Sequence, residues 1–193
     1  VSTAMFPSGH PATNEGLVYE ESRWDGKTCL EYTPDGKMLD IREDKKKVGA
    51  FLNPVRKDVR KFALSIVREI VKNYDVDAYA LDYCRYPGDD SDFSADSHKA
   101  FEHYLGKKVR NFPDDIFTWN ADGTKNPGVY YKEWWAFRAN VITSFVKEVR
   151  KEIHSINNKV ELEYWAASWI HGIYGQGQNL SLIHISEPTR LLS

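Results

Sequence analysis

Cysteine and methionine are scarce, with two residues of each in the chain. The two cysteines, Cys29 and Cys84, stand far apart with no Cys-x-x-Cys pair. That spacing argues against a structural zinc site and leaves either a disulfide formed in an oxidising compartment or, as the safer reading, two buried thiols. No apolar run approaches the ~20 residues that span a bilayer. A strong excess of either charge is missing too, since the formal net charge is -2 with 28% charged residues. Neither nucleic acid nor an acidic membrane surface is therefore expected as a partner. The short basic runs, Lys45-Lys46-Lys47 and Lys107-Lys108, read as solvated turns. The acidic run Asp89, Asp90, Asp92 and Asp96 lacks the Asp-x-Asp-x-Asp-Gly order of a calcium loop. It reads as a solvated loop with a helix-capping end, and neither metal nor cofactor is expected. An initiator Met is also missing, and Val1-Ser2-Thr3-Ala4-Met5-Phe6 reads as the second half of a buried β-strand.

Aromatic residues, by contrast, are plentiful. They make up 13% of the chain, with 6 Trp and 11 Tyr, a composition that suits a protein stacking on sugar rings but equally fills cores. One stretch stands apart from the rest. Residues 180–190, LSLIHISEPTR, resemble the translated mosaic end and index arm of a transposase sequencing adapter. Residues 180–193 are accordingly expected to lie outside the fold and to contribute nothing to packing, leaving 1–179 as a partial domain.

Along that domain, residues 17–52 carry two Asp-Gly turns, Asp25-Gly26 and Asp35-Gly36, between short β-prone runs, the pattern of one or two small hairpins. The period then changes. Val59, Phe62, Ala63, Ile66, Val67, Ile70, Val71 and Tyr74 recur at helical spacing after Asn53-Pro54, which reads as a cap followed by Pro at the first helical position. The spacing predicts a helix over 54–74. Residues 76–81, VDAYAL, then form a short apolar run of the kind found in a parallel strand covered on both faces. Alternation along it puts Ala78, Ala80 and Asp82 on one side and Tyr79 and Leu81 on the other. A second long helix over 130–156 carries the stripe Trp134, Val141, Ile142, Phe145, Val146, Val149, Ile153 and Ile156, and a second strand follows at 160–166. This order means consecutive βα units and a parallel sheet. Between the first strand and the second helix lies a long excursion, 83–129, with a helix capped near Ser94 and a turn at Trp119-Asn120-Ala121-Asp122-Gly123.

The run YDVDAYALDYCRYP, preceded by FLNPVRKDVRKFALSIVREIVKN and followed by SDFSADSHKAFEHYLGKKV, FPDDIFTW and PGVYYKEWWAFRANVI, resembles the glycosyl-hydrolase-like TIM-barrel proteins, α-amylase-like or family-10-like, known from Bacteroidota. The likeness extends from SGHP and EGLVYEE to WIHGIYGQGQN. It implies an α/β fold: part of a (β/α)₈ barrel, roughly strand three to strand five, with a β-hairpin insert and a long loop after strand four. A complete barrel needs ~250 residues, so about half would be absent. The segment alone is then expected to expose open sheet edges and to aggregate. The resemblance further implies a secreted or cell-surface parent acting on a carbohydrate.

The family pattern at the end of strand four is Leu-Asp-Arg-x-Arg-Tyr, and here the chain reads Leu81-Asp82-Tyr83-Cys84-Arg85-Tyr86. The acid and the Arg-Tyr pair are kept while Tyr83 replaces the first Arg. Glycosidic bonds are cleaved by two carboxyl groups, so Asp82 is the candidate nucleophile or base. Its bland alternative is a loop cap or a structural ion pair with Arg85. Glu163, on strand five, is the candidate acid partner, against the equally open reading of a buried structural glutamate. Candidate substrate contacts are His10, Asn53, Arg85, Tyr86, Trp165, Trp169 and His171. The rival function is a non-catalytic glycan-binding barrel in which Asp82 only accepts a sugar hydroxyl.

Overall fold

The computed structural model describes residues 1–166 and 175–178, together with the backbone of 190–192. In chain order the elements are β1 (Ser2–Ala4), α1 (Leu17–Glu20), β2 (Leu30–Tyr32), β3 (Met38–Asp40), α2 (Lys57–Asn73), β4 (Ala78–Asp82), α3 (Ala95–Leu105), β5 (Phe117–Trp119), β6 (Lys125–Pro127), α4 (Tyr131–Ile156), β7 (Glu161–Trp165) and β8 (Arg190–Leu192). β1, β4, β7 and β8 form one parallel sheet in that order, and β2–β3 and β5–β6 are separate antiparallel pairs. Strand, helix and parallel strand thus alternate as the sequence pattern predicts.

The register sorts the sheet into two faces. Ala80 of β4 lies beside Ser2 of β1 and Glu163 of β7, and Leu81 beside Thr3 and Tyr164. Tyr79, Leu81, Leu162 and Tyr164 therefore share one face, where they are buried in a common core with Val59, Val67, Ile142, Phe145 and Val149 of the two long helices. On the opposite face stand Ala78, Ala80, Asp82, Glu161, Glu163 and Trp165. The alternation expected along β4 is thus observed, with small residues lining the acid's side.

α2 buries Val59, Ala63, Val67 and Val71, one every fourth residue, and α4 lies against it. Arg60 joins the two helices through Glu148 Oε1 at 2.8 Å and Ser144 Oγ at 2.7 Å, and Arg68 reaches Glu152 at 2.6 Å. α2 begins later than the sequence indicates. Its N-cap is Arg56, not Asn53, whose carboxamide oxygen instead accepts from the Val55 N–H at 2.9 Å while its NH₂ is drawn into the interior. Asn53 thus closes a local turn with Val55 and Arg56, and the helix starts only after it.

Residues 17–52 hold one hairpin, β2–β3, turning at Asp35-Gly36, where Gly36 takes a positive φ of 79°. Asp25-Gly26 makes no second hairpin, because Leu17–Glu20 and Ser22–Trp24 coil as short helical turns that bury Val18 and Trp24. Packing of those two side chains overrides the β-prone composition. In the excursion, Ser94 caps α3 by accepting from the Ser97 N–H, and Gly123 closes the turn between β5 and β6. Phe93, Phe101, Phe112, Phe117, Trp134 and Phe137 interlock there, with ring centroids of neighbouring pairs about 5 Å apart. Both cysteines are buried free thiols.

The acidic run is not a solvated loop. Asp92 is fully buried and accepts hydrogen bonds from the Leu30 N–H, the Asn53 amide and the hydroxyls of Ser94 and Ser97. Asp89 pairs with Lys125, Asp90 with Lys47, and Asp96 with Arg56. The tail does not lie wholly apart from the sheet either, since β8 pairs in parallel with β7. An open strand edge accepts the backbone of almost any sequence, because the bonds come from main-chain groups.

Glu31, on β2, is buried against Lys47. Burial pushes its carboxyl up to about 7, with Lys47 opposing the shift. The folded state therefore binds this proton more tightly than the unfolded chain. The stabilisation from Glu31 is full below about 4.5 and is lost as pH rises through about 7. Urea unfolding midpoints of the wild type are expected to fall between about pH 5 and 8, and Glu31→Gln is expected to flatten that decline.

Candidate functional site

The polar face of the sheet carries Asp82 and Trp165 at the C-terminal ends of β4 and β7, and Glu163 in the middle of β7. Glu163 is level with Ala80, so it lies one strand across from Asp82 and two residues back. A strand spacing of ~4.8 Å and a rise of ~3.3 Å per residue put the two Cα atoms roughly 8 Å apart. Both residues are partly exposed, and Trp165 is 43% exposed beside them. Parallel pairing thus brings together two acids separated by half the chain.

Asp82 is lightly held. One carboxylate oxygen accepts from the Tyr83 N–H at 2.8 Å, while its backbone carbonyl accepts from Met5 N at 2.9 Å and ties β4 to the segment after β1. Among the described residues it makes no ion pair with Arg85. Tyr83 adopts a positive φ of 45°, a conformation that costs a non-glycine residue of order 1–2 kcal/mol. The turn lets the Tyr83 ring meet the Arg85 guanidinium at 4.8 Å, with Phe51 on its edge at 6.0 Å. Half-buried Arg85 donates to the Tyr86 carbonyl at 3.3 Å, and burial lowers its pKa although Tyr83, Tyr164 and Asp82 favour the charge.

The other candidate contacts are dispersed. His10 is exposed in a turn bridged to Glu15. Asn53 is buried and spends its amide on Asp92, Ser94 and Ser97. Tyr86 is enclosed, with its ring under the Arg138 guanidinium at 4.4 Å. Trp169 and His171 lie outside the described residues. Asn53 and Tyr86 therefore serve the interior, and Asp82, Glu163, Arg85 and Trp165 remain at least partly exposed on or beside β4 and β7.

Three residues near the ends of β4 and β7 escape a full reading of the sequence. Tyr83 matters through its backbone angle, Gln178 is buried and donates to the Trp165 carbonyl at 3.2 Å, and Arg138 is buried in α4. Tyr83 is legible as the departure from the family's Arg, though not its backbone angle, and Arg138 as a charged residue at a core position of the helical stripe.

The family described as glycosyl hydrolase-like 10 matches residues 39–170. The chain belongs to that family. A relative is the "S-layer-related protein" of Niallia circulans, 34% identical over 186 residues that cover 92% of this chain and 11% of that protein. The fold is similar to that of the PgaB (BpsB) glycoside hydrolase domain from Bordetella bronchiseptica, with a TM-score of 0.64, 14% identity, and coverage of 99% of this chain and 49% of that one. The chain thus spans about half of the solved domain and about a tenth of the relative. Among the described residues no helix is long and apolar enough to cross a membrane.

The contrast between Asn53 and Asp82 can be measured. Asn53→Ala leaves buried partners unsatisfied and is expected to cost about 1–3 kcal/mol. Asp82→Asn disturbs one partly exposed hydrogen bond and is expected to shift Tm by less than ~2 °C. Thermal melts of the two variants check both.

Proposed function

We propose that this chain is part of a (β/α)₈ barrel, from about strand three to strand five, that acts on the glycosidic bonds of a poly- or oligosaccharide. The observation that carries this reading is the placement of Asp82 and Glu163 on one face of adjacent parallel strands, with Asp82 at the strand end where barrel enzymes hold their sites and Glu163 two residues below it. Asp82 is assigned as nucleophile or base and Glu163 as the acid that protonates the leaving oxygen. The rough Cα separation is compatible with the ~5–9.5 Å between carboxyl groups in glycosidases, and side-chain rotamers select within that range. Trp165 offers an exposed ring to a sugar face, and Arg85 offers donors to its oxygens. The family membership and the fold of the solved glycoside hydrolase domain support a carbohydrate partner. The S-layer-related relative supports a secreted or cell-surface parent.

A glycan-binding role without cleavage has one observation in its favour. Tyr83 stands where the family pattern has its first Arg, and Asp82 has no cationic partner within ion-pair distance among the described residues.

Reducing-end release from an oligosaccharide panel, measured on the parent protein containing this segment, separates the two. Asp82→Asn is expected to lower kcat by about 10²–10⁴-fold with the melt unchanged. Near-normal turnover in that variant would rule out the catalytic assignment. Binding without cleavage in the unmodified protein would establish the glycan-binding role instead.

A further inference from the structure

We infer that Arg138 is a positioning residue of the carbohydrate site, a buried clasp that sets the separation of the loops following β4 and β7. Position 138 falls on the core stripe of α4, yet it carries a guanidinium that is 0% exposed. Taking such a group out of water costs several kcal/mol. Among the described residues no carboxylate pairs with Arg138, and its Nε has no hydrogen-bond partner. The charge is met by two backbone carbonyls from separate loops, Gly88 O and, at 3.1 Å, Gly175 O. It is also met by the faces of two rings, Tyr86 at 4.4 Å and Trp135 at 4.8 Å. Leucine would fill much of this volume without the desolvation cost. It could not hold two carbonyls.

The two loops leave the strands that carry the candidate site. Gly88 follows Asp82 at the end of β4, and Gly175 follows Trp165 at the end of β7. They are joined where Arg138 grips them, since the Tyr86 N–H donates to Gln176 O at 2.9 Å. The Gly177 backbone lies so close to the Tyr86 ring that an added Cβ would sit 2.8 Å from Cδ2. Tyr86 is thereby packed between the guanidinium and the Gly177 backbone. Below the clasp, the Tyr164 hydroxyl donates to Cys84 O at 2.8 Å. A planar guanidinium offers donors in fixed directions and can span both carbonyls, whereas a lysine ammonium is a point charge on a flexible stem. The clasp acts through the loops, and its functional meaning rests on the carbohydrate-site reading above.

Amide hydrogen exchange on the parent protein containing this segment tests it directly. In Arg138→Met, exchange at the Tyr86 amide is expected to rise at least ~10-fold, with amides of the β4–β7 ladder changing less than ~3-fold. A uniform rise at every amide, or none at Tyr86, would overturn the clasp. Arg138→Lys keeps the charge and guards against a variant that fails to fold. Its Tyr86 exchange is expected to rise ~3-fold or more, and wild-type exchange there would also overturn the proposal. In the parent protein, on whichever oligosaccharide of the panel is cleaved, Arg138→Lys is expected to lower kcat by up to ~10²-fold while KM moves less than ~3-fold, because misplaced groups lose rate before affinity. An unchanged kcat would refute the positioning role. Selective exchange at Tyr86 in a protein that neither cleaves nor binds any oligosaccharide would keep the clasp and discard the carbohydrate reading.

Discussion

The Asp92 carboxylate is the point on which the insertions converge. It takes the Leu30 N–H from the β2–β3 hairpin, the Asn53 amide from the segment entering α2, and the hydroxyls of Ser94 and Ser97 from the start of α3. Burial raises its pKa while the Ser94 and Ser97 hydroxyls and the Leu30 N–H pull in the other direction, and among the described residues hydrogen bonds rather than an ion pair surround the carboxyl. Removing the acceptor would strand several buried donors at once, and each such group carries its own desolvation penalty. Three pieces of chain that are distant in sequence are thereby held in register over the two long helices.

That arrangement fixes what surrounds the mouth of the sheet. The excursion after β4 is anchored at one end by Asp92 and along its length by aromatic packing against Trp134 and Phe137 of α4. One turn further along the same helix, Arg138 grips Gly88 and Gly175. α4 therefore covers the sheet, supports the excursion and binds the segments that follow β4 and β7. Its buried face is wider than an apolar stripe for that reason.

The helices and parallel strands were legible because burial on one face imposes a period. Val59 to Val71 and Trp134 to Ile153 announce α2 and α4, and the alternation of Ala78, Ala80 and Asp82 with Tyr79 and Leu81 announces the two faces of β4. The family likeness in Leu81 to Tyr86 placed Asp82 at the strand end. Asn53-Pro54 misled by three residues, since it closes a turn ahead of the helix, whereas of the one or two hairpins expected around the two Asp-Gly turns the structure forms one. The acidic run misled because spacing alone cannot tell solvated Asp from Asp92, whose donors come from positions 30, 53, 94 and 97.

Element order, the parallel connection and the apolar faces are written in the sequence, because these follow from local periodicity and from short-range sterics. Only the tertiary structure decided which polar residues are enclosed and which face outward. Asn53, Tyr86, Asp92 and Arg138 went inside, while Asp82, Glu163 and Trp165 stayed accessible on one face. The cost of burying a polar group depends on partners brought from distant segments. Those partners exist as neighbours only after β4 and β7 pair and the excursion folds back over α4.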